Sequence, residues 1–288
     1  MLAPKFSIVT PSFNQRAYIE EALLSVKNQA YLQVEHIVVD GDSTDGTVEV
    51  LRDYGGRPGW GHLRWISEPD HGQSEALNKG FKMASGQIVG WLNSDDCYRT
   101  ECFSIVADAF EKNPAADIIY GDYTWIDQHG TFLKLRREIE FSPFVLLYHR
   151  VSPLPTPSSF FRRRIFEENN FIDVKYHYSM DHEFFLRLAQ KGFHFQHIAQ
   201  VLADFRWQPD SKSSKAPEKQ IEERDFIVFQ YSPLLCHMPQ GALRATLLAV
   251  LRSQAALFYW SQKLLRGYYF GGSSPSHLTP GTRPVGSS

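Results

Sequence analysis

The chain has 288 residues, with 30 Lys and Arg against 32 Asp and Glu and a formal net charge of −2. That length is enough for one large domain or two small ones with a substantial core. The hydrophobic share of 43% and charged share of 22% are those of a soluble globular protein, and the near-neutral balance gives no ground for nucleic-acid binding. Three scattered cysteines, Cys97, Cys102 and Cys236, without ligand spacing, argue for a reducing compartment and against structural zinc. No signal-peptide pattern precedes the first strand, and no segment reaches the ~18 uncharged apolar residues of a spanning helix. A cytoplasmic protein is expected.

The first half alternates in the βαβ manner. Phe6 to Thr10 reads as a buried strand ending at Pro11, and Ala17 to Asn28 carries Ile19, Leu23, Leu24 and Val26 at helical spacing. Val34 to Val39 is a β-branched strand ending at Asp40-Gly41, followed by a helix capped by Ser43 or Thr44 and running to about Arg52. Leu63 to Ile66 is a third strand, and Ser74 to Ala84 a helix stopped by Gly86. Gln87 to Leu92 is the fourth strand. A helix from Thr100 to Lys112 and a strand from Asp117 to Tyr120 complete this half. Strands separated by single helices imply a doubly wound, mostly parallel sheet. Its polar strand ends, Thr10-Pro11-Ser12, Asp40-Gly41-Asp42, Glu68 and Asn93 to Asp96, then share one edge, where ligands bind in such sheets.

From Tyr123 the pattern changes. Trp125 to Phe132 reads as a hairpin turning near His129-Gly130, and Ser158 to Phe161, after Pro153, Pro155 and Pro157, as an edge strand. Met180-Asp181-His182-Glu183 opens a helix with Phe184, Phe185, Leu188 and Ala189 on its apolar face. Phe193 to Ile198 and Val201 to Phe205 read as two short strands. Ala216 to Phe229 and Gly241 to Leu265 are helical, and the Gly-, Ser- and Pro-rich tail after Gly271 is expected to be disordered.

The most informative stretch is Gln87 to Asp96, an apolar strand that ends in two adjacent carboxylates, Asp95 and Asp96. With no basic residue until Arg99, two acids repel unless a cation or proton settles the charge. Oxygen ligands suit Mg²⁺ or Mn²⁺, which usually arrive with a substrate phosphate. An acidic helix start would leave the same residues.

Thr10-Pro11-Ser12-Phe13-Asn14, Val38 to Thr47, Leu77-Asn78-Lys79-Gly80, Leu92-Asn93-Ser94-Asp95-Asp96, Met180 to Phe184 and Phe205-Arg206-Trp207 occur in an order that resembles family 2 glycosyltransferases of GT-A fold. The likeness spans residues 5–212 and is closest to the branch that builds bacterial O-antigen and other surface polysaccharides. It implies a GT-A domain over 1–212, with a donor half 1–122 and an acceptor half 123–212. A helical C-terminal extension over 213–270 and a tail over 271–288 would follow.

The resemblance also implies roles. Phe13 would lie against the nucleobase, and Asp40 would accept from its ring N–H, which suits uracil. Thr10 and Pro11 would shape that pocket. Asp42, Asn78, Lys79, Asn93, Ser94 and Arg206 would line the donor, with Asn78 and Lys79 near ribose and phosphates and Arg206 at the diphosphate. Asp95 and Asp96 would hold the ribose and a divalent cation, Mn²⁺ or Mg²⁺. Asp181 would be the general base of an inverting transfer to a saccharide or lipid-linked saccharide, its helix N-terminus lowering its pKa. Asn93 stands where many relatives carry an acid, and Gln208 where many carry a histidine, so weakened metal affinity is expected.

Other readings fit parts of the chain. Asp40-Gly41-Asp42-Ser43-Thr44 after an apolar strand also matches a haloacid-dehalogenase-like phosphatase with Asp40 as nucleophile and Asp42 as acid/base. A nucleotide-sugar-binding relative without catalysis is a third. Arg136-Arg137 and Arg162-Arg163-Arg164 would suit an acidic acceptor if they face its cleft, and are otherwise solvated charge runs. Residues 242–266, apolar with interspersed Arg and Lys, would suit peripheral contact with an anionic membrane, or packing.

Overall fold

The computed structural model describes residues 3–208 and 216–268; the expected disordered tail lies outside them. Its strands are β1 (Phe6–Ser12), β2 (Val34–Asp40), β3 (Leu63–Ser67), β4 (Ile88–Trp91), β5 (Cys97–Tyr98), β6 (Ile118–Ile126), β7 (Phe132–Arg136), β8 (Ser159–Arg162) and β9 (Phe195–Arg206). Its helices are α1 (Ile19–Lys27), α2 (Thr47–Gly56), α3 (Gln73–Met83), α4 (Cys102–Lys112), α5 (Pro143–Tyr148), α6 (Arg164–Glu167), α7 (Met180–Gln190), α8 (Pro217–Tyr231) and α9 (Ala242–Leu265).

The strands form one sheet in the order β3-β2-β1-β4-β8-β6-β9-β5, with β7 paired to β6. The block β3-β2-β1-β4 is parallel, as the βαβ alternation requires, and β6 and β9 are also parallel. β8 runs antiparallel to both β4 and β6. Successive residues feed opposite faces. Val9, Val89 and Phe161 join one core with Leu77 and Phe81 of α3 and Phe184 and Phe185 of α7. Ile8, Ile88 and Phe160 join the other with Phe103 and Val106 of α4.

Four expectations change. β8 is interior rather than an edge, because both Phe160 and Phe161 are fully buried, one on each face. The two short strands near residue 200 are the single strand β9, with a register irregularity opposite Gly121 and Asp122. β1 runs on through Pro11, where β4 has already ended opposite Val9, so a missing N–H breaks no ladder on that side. α2 begins at Thr47 after a left-handed Gly46, because Ser43 and Thr44 are engaged elsewhere.

The basic clusters do not face the donor edge. Arg162 pairs in register with Ile88 at the start of β4 and donates to the Ala116, Phe110 and Pro114 carbonyls. Arg163 reaches the Ser85 carbonyl and Glu167, and Arg164 bridges to Asp117. All lie at the edge of the sheet opposite Asp95 and Asp96. Arg136 instead stacks on Trp125 beside Glu138, and Arg137 on Tyr268.

Helix α9 buries Leu248, Leu251, Ala255, Tyr259 and Lys263 and leaves Leu243, Val250, Leu257 and Leu264 exposed. Its cations turn toward the protein: Arg244 over Phe229, Arg252 to Asp225, Lys263 to Glu138 and Arg266 to Glu140. The cationic flank expected of an anionic-membrane helix is therefore engaged internally. No helix of the described residues is long and apolar enough to cross a membrane.

Candidate active site

The carboxyl ends of β1 to β4 converge as expected. Ser12 lies opposite Asp40 in the register, and Asp40 opposite Ser67. Asp40 is fully buried. Its Oδ2 accepts from the Ser43 N–H at 2.9 Å and Ser67 Oγ at 2.8 Å, and its Oδ1 from Ser43 Oγ at 2.6 Å. The carboxylate thus caps the turn after β2, with one acceptor position on Oδ1 beyond these three bonds. Beside it, Ser12 Oγ is buried without a protein partner, an orphan hydroxyl facing the edge where a polar ligand would satisfy it.

The loop after β1 is stitched to the loop after β2. The Asn14 N–H donates to Ser43 Oγ, Asn14 Oδ1 accepts from the Thr44 N–H, and the Arg16 N–H reaches Asp45. Phe13, carried on this loop, is 60% exposed and leaves its ring open at the donor edge. Asp42 is exposed in a left-handed conformation, φ 65°. Pro11 is buried, and the Thr10 side chain turns inward to His36 Nε2 at 2.9 Å.

The Asn-Lys-Gly segment has an architectural part. Asn78 donates to the Ile172 carbonyl and accepts its N–H, both at 2.8 Å, tying α3 to the loop before α7. Lys79 pairs with Glu68 at 2.8 Å and Glu75 at 3.1 Å. A Cβ on Gly80 would stand 2.3 Å from Val9 Cγ1, so only glycine lets α3 approach β1 this closely.

The acidic pair sits in a built pocket. Asp96 is 1% exposed; its Oδ1 accepts the Arg206 N–H at 2.9 Å and its Oδ2 the Asn93 amide at 3.0 Å. Asp95 is half-buried, with Oδ2 receiving Gln208 Nε2 at 2.6 Å, and Ser94 between Asn93 and Asp95 is buried. Asn93 Oδ1 in turn accepts from Trp91 and Gln73, each at 2.9 Å. Burial pushes both carboxyls above the usual range, and Asp96 is raised further by Asp95. Two dehydrated acids with few cationic neighbours are a place for a cation. The described residues hold no cluster of three or more metal-ligating side chains. Two carboxylates fit an ion that takes its other ligands from phosphate and water.

Arg206 does not point at that pocket. Its Nε donates to the Asp95 carbonyl, its Nη1 to the Asp127 and Gln128 carbonyls, and its Nη2 to Glu21 at 2.6 Å, with Tyr18 stacked on it. It is a strut under the acidic loop.

Asp181 stands at the second position of α7. Gln73 and Ser74, which open α3, link it to the acidic pocket: Gln73 reaches Asn93, and Ser74 Oγ contacts Met180 Sδ at 2.8 Å and the Tyr176 carbonyl at 3.3 Å. Between these segments is a cavity of about 210 Å³ lined by His71, Gly72, Ser74, Glu75, Val174 and His177. Asp181 is not the cap of its helix; Glu223 of α8 takes the N–H groups of His177, Tyr178 and Ser179. Burial raises the Asp181 pKa, outweighing the lowering by Arg224, so the carboxylate is a stronger base than its helix position alone suggests. Glu183, bound by Arg187 and Tyr231, is structural. The sequence reading missed Gln73, Ser67, Glu21 and Glu223, whose partners are remote in the chain.

A family model described as glycosyl transferase family 2 matches residues 7–179. An uncharacterized glycosyltransferase of Mycobacterium tuberculosis is 32% identical over 195 residues, 65% of this chain and 70% of that one. The "Putative teichuronic acid biosynthesis glycosyltransferase TuaG" of Bacillus subtilis is 38% identical over 128 residues, 44% and 50% of the two chains. Among solved structures, S. aureus TarS 1–349 in complex with UDP-GlcNAc matches with a TM-score of 0.65 at 16% identity, covering 94% of this chain and 76% of that one. The mannosyltransferase PcManGT of Pyrobaculum calidifontis, in complex with GDP-Man and Mn²⁺, matches at 0.59 and 17% identity, covering 96% and 78%. These two likenesses establish the GT-A fold.

Proposed function

The chain belongs to glycosyl transferase family 2 and is a glycosyltransferase; from that premise we propose that it moves a sugar, with inversion, from a uridine diphosphate donor to a hydroxyl of a polysaccharide or glycolipid. The observation that carries the reading is the Asp95–Asp96 pair, Asp96 buried and Asp95 half-buried, at the carboxyl edge of β4, joined to Asp181 through the start of α3. The phosphatase alternative is set aside by the family, and Asp40, sealed by Ser43 and Ser67, is a poor nucleophile.

In this reading Phe13 covers the base, Pro11, Ser12 and Asp42 line the nucleoside, and the peptide edge around Asp40 shapes its pocket. Asp95 and Asp96 would hold Mn²⁺ or Mg²⁺, which when bound supplies Lewis-acid stabilisation of the departing diphosphate. Asp181 takes the proton of the acceptor hydroxyl as that oxygen attacks the anomeric carbon opposite the leaving group. The bond to the diphosphate oxygen breaks, and the nucleoside diphosphate departs with the electron pair. Preference for an extracellular-polysaccharide acceptor draws support from the TuaG likeness.

Calorimetric binding of UDP, GDP and dTDP, each with and without Mn²⁺, tests the donor site. Selective, Mn²⁺-dependent UDP binding supports it; preference for another nucleotide overturns the choice of uridine, and metal-independent binding removes the cation.

A further inference from the structure

Helix α8 lies beyond the residues the family model matches, yet it grips the segment that presents Asp181. Glu223 Oε1 accepts the His177 N–H at 2.7 Å, and its Oε2 accepts the N–H groups of Tyr178 at 2.7 Å and Ser179 at 2.5 Å. Ser179 Oγ donates to the Gln220 carbonyl, Tyr176 donates to Gln230, and Tyr231 to Glu183. One turn of backbone that would otherwise leave donors unpaired at the start of α7 is therefore closed by a carboxylate from another helix.

We propose that Glu223 is a positioning residue for the transfer, fixing the backbone that carries Asp181. Helix α8 is then part of the active site. This rests on the reading of Asp181 as base.

The test uses the full chain. Amide hydrogen exchange at 177–179, the thermal midpoint, and donor KM and kcat are compared in wild type, Glu223→Gln and Glu223→Asp. The expected result is at least tenfold faster exchange and a ten- to hundredfold lower kcat in Glu223→Gln at constant donor KM, assayed with a UDP-sugar, with Glu223→Asp recovering part of both. Unchanged exchange, or a kcat that does not fall, overturns the proposal while Asp181→Asn stays inactive. An active Asp181→Asn overturns the base assignment itself.

Discussion

Arg206 at the end of β9 and Glu21 in α1 meet at 2.6 Å across 185 residues of chain, and the same guanidinium carries the Asp95 carbonyl at 2.8 Å. The donor edge of β4 is thereby braced against the first helix and the β6–β7 turn. Arg206→Lys keeps the charge but not the planar fork that serves four acceptors. It should cost about 2–4 kcal/mol of stability, because Arg206 is itself buried and lysine cannot remake those bonds. Denaturant unfolding checks this; an unchanged midpoint with weakened UDP binding would instead return Arg206 to the diphosphate.

The acidic pair gives a pH signature. Both pKa values are raised, chiefly by burial, so protons compete with a divalent cation at higher pH than for ordinary aspartates. Mn²⁺-dependent UDP binding should weaken as pH falls toward the raised values and should be lost in Asp95→Asn. Calorimetry across pH reads this. Mn²⁺ dependence that survives in both Asp95→Asn and Asp96→Ala would remove the pair from the metal site.

Asn78 offers a contrast between binding and architecture. Asn78→Ala leaves the N–H and carbonyl of Ile172 without their partner, an expected loss of about 1–3 kcal/mol. Donor affinity should change far less than stability. A large drop in UDP affinity at an unchanged thermal midpoint would restore the ribose contact.

Glu35, 5% exposed in β2, accepts from Ser7 Oγ at 2.5 Å and from Ser85 N–H and Oγ, with Lys5 and Arg64 beside it. Burial alone would raise its pKa, but these partners together hold it at about 2, against an ordinary 4.5. A depressed folded pKa adds stability that is complete above about pH 4.5 and is lost as pH falls toward 2. The contribution is on the order of 3 kcal/mol at neutral pH. Glu35→Gln should flatten the acid limb of the stability curve in that window; a parallel curve would contradict the assignment.

The sequence by itself determined the parallel half of the sheet, its polar edge and the family motifs, because strand and helix periodicity and strand-end chemistry are local. It put Asp95, Asp96 and Asp181 at element ends, and the start of α3 touches the neighbours of both, Gln73 at Asn93 and Ser74 at Met180. Only the tertiary structure decided what each polar group spends its bonds on. Arg206 and Asn78 look like ligand contacts in the chain, yet each also holds backbone groups brought near from far away. Ser158 to Phe161 reads as an edge strand until both faces acquire neighbours, and the Arg162–Arg164 cluster falls at the edge away from the site because β8 runs antiparallel. Glu223 carries no motif at all. Its place under Asp181 follows from α8 packing on α7, a long-range contact that no local spacing encodes.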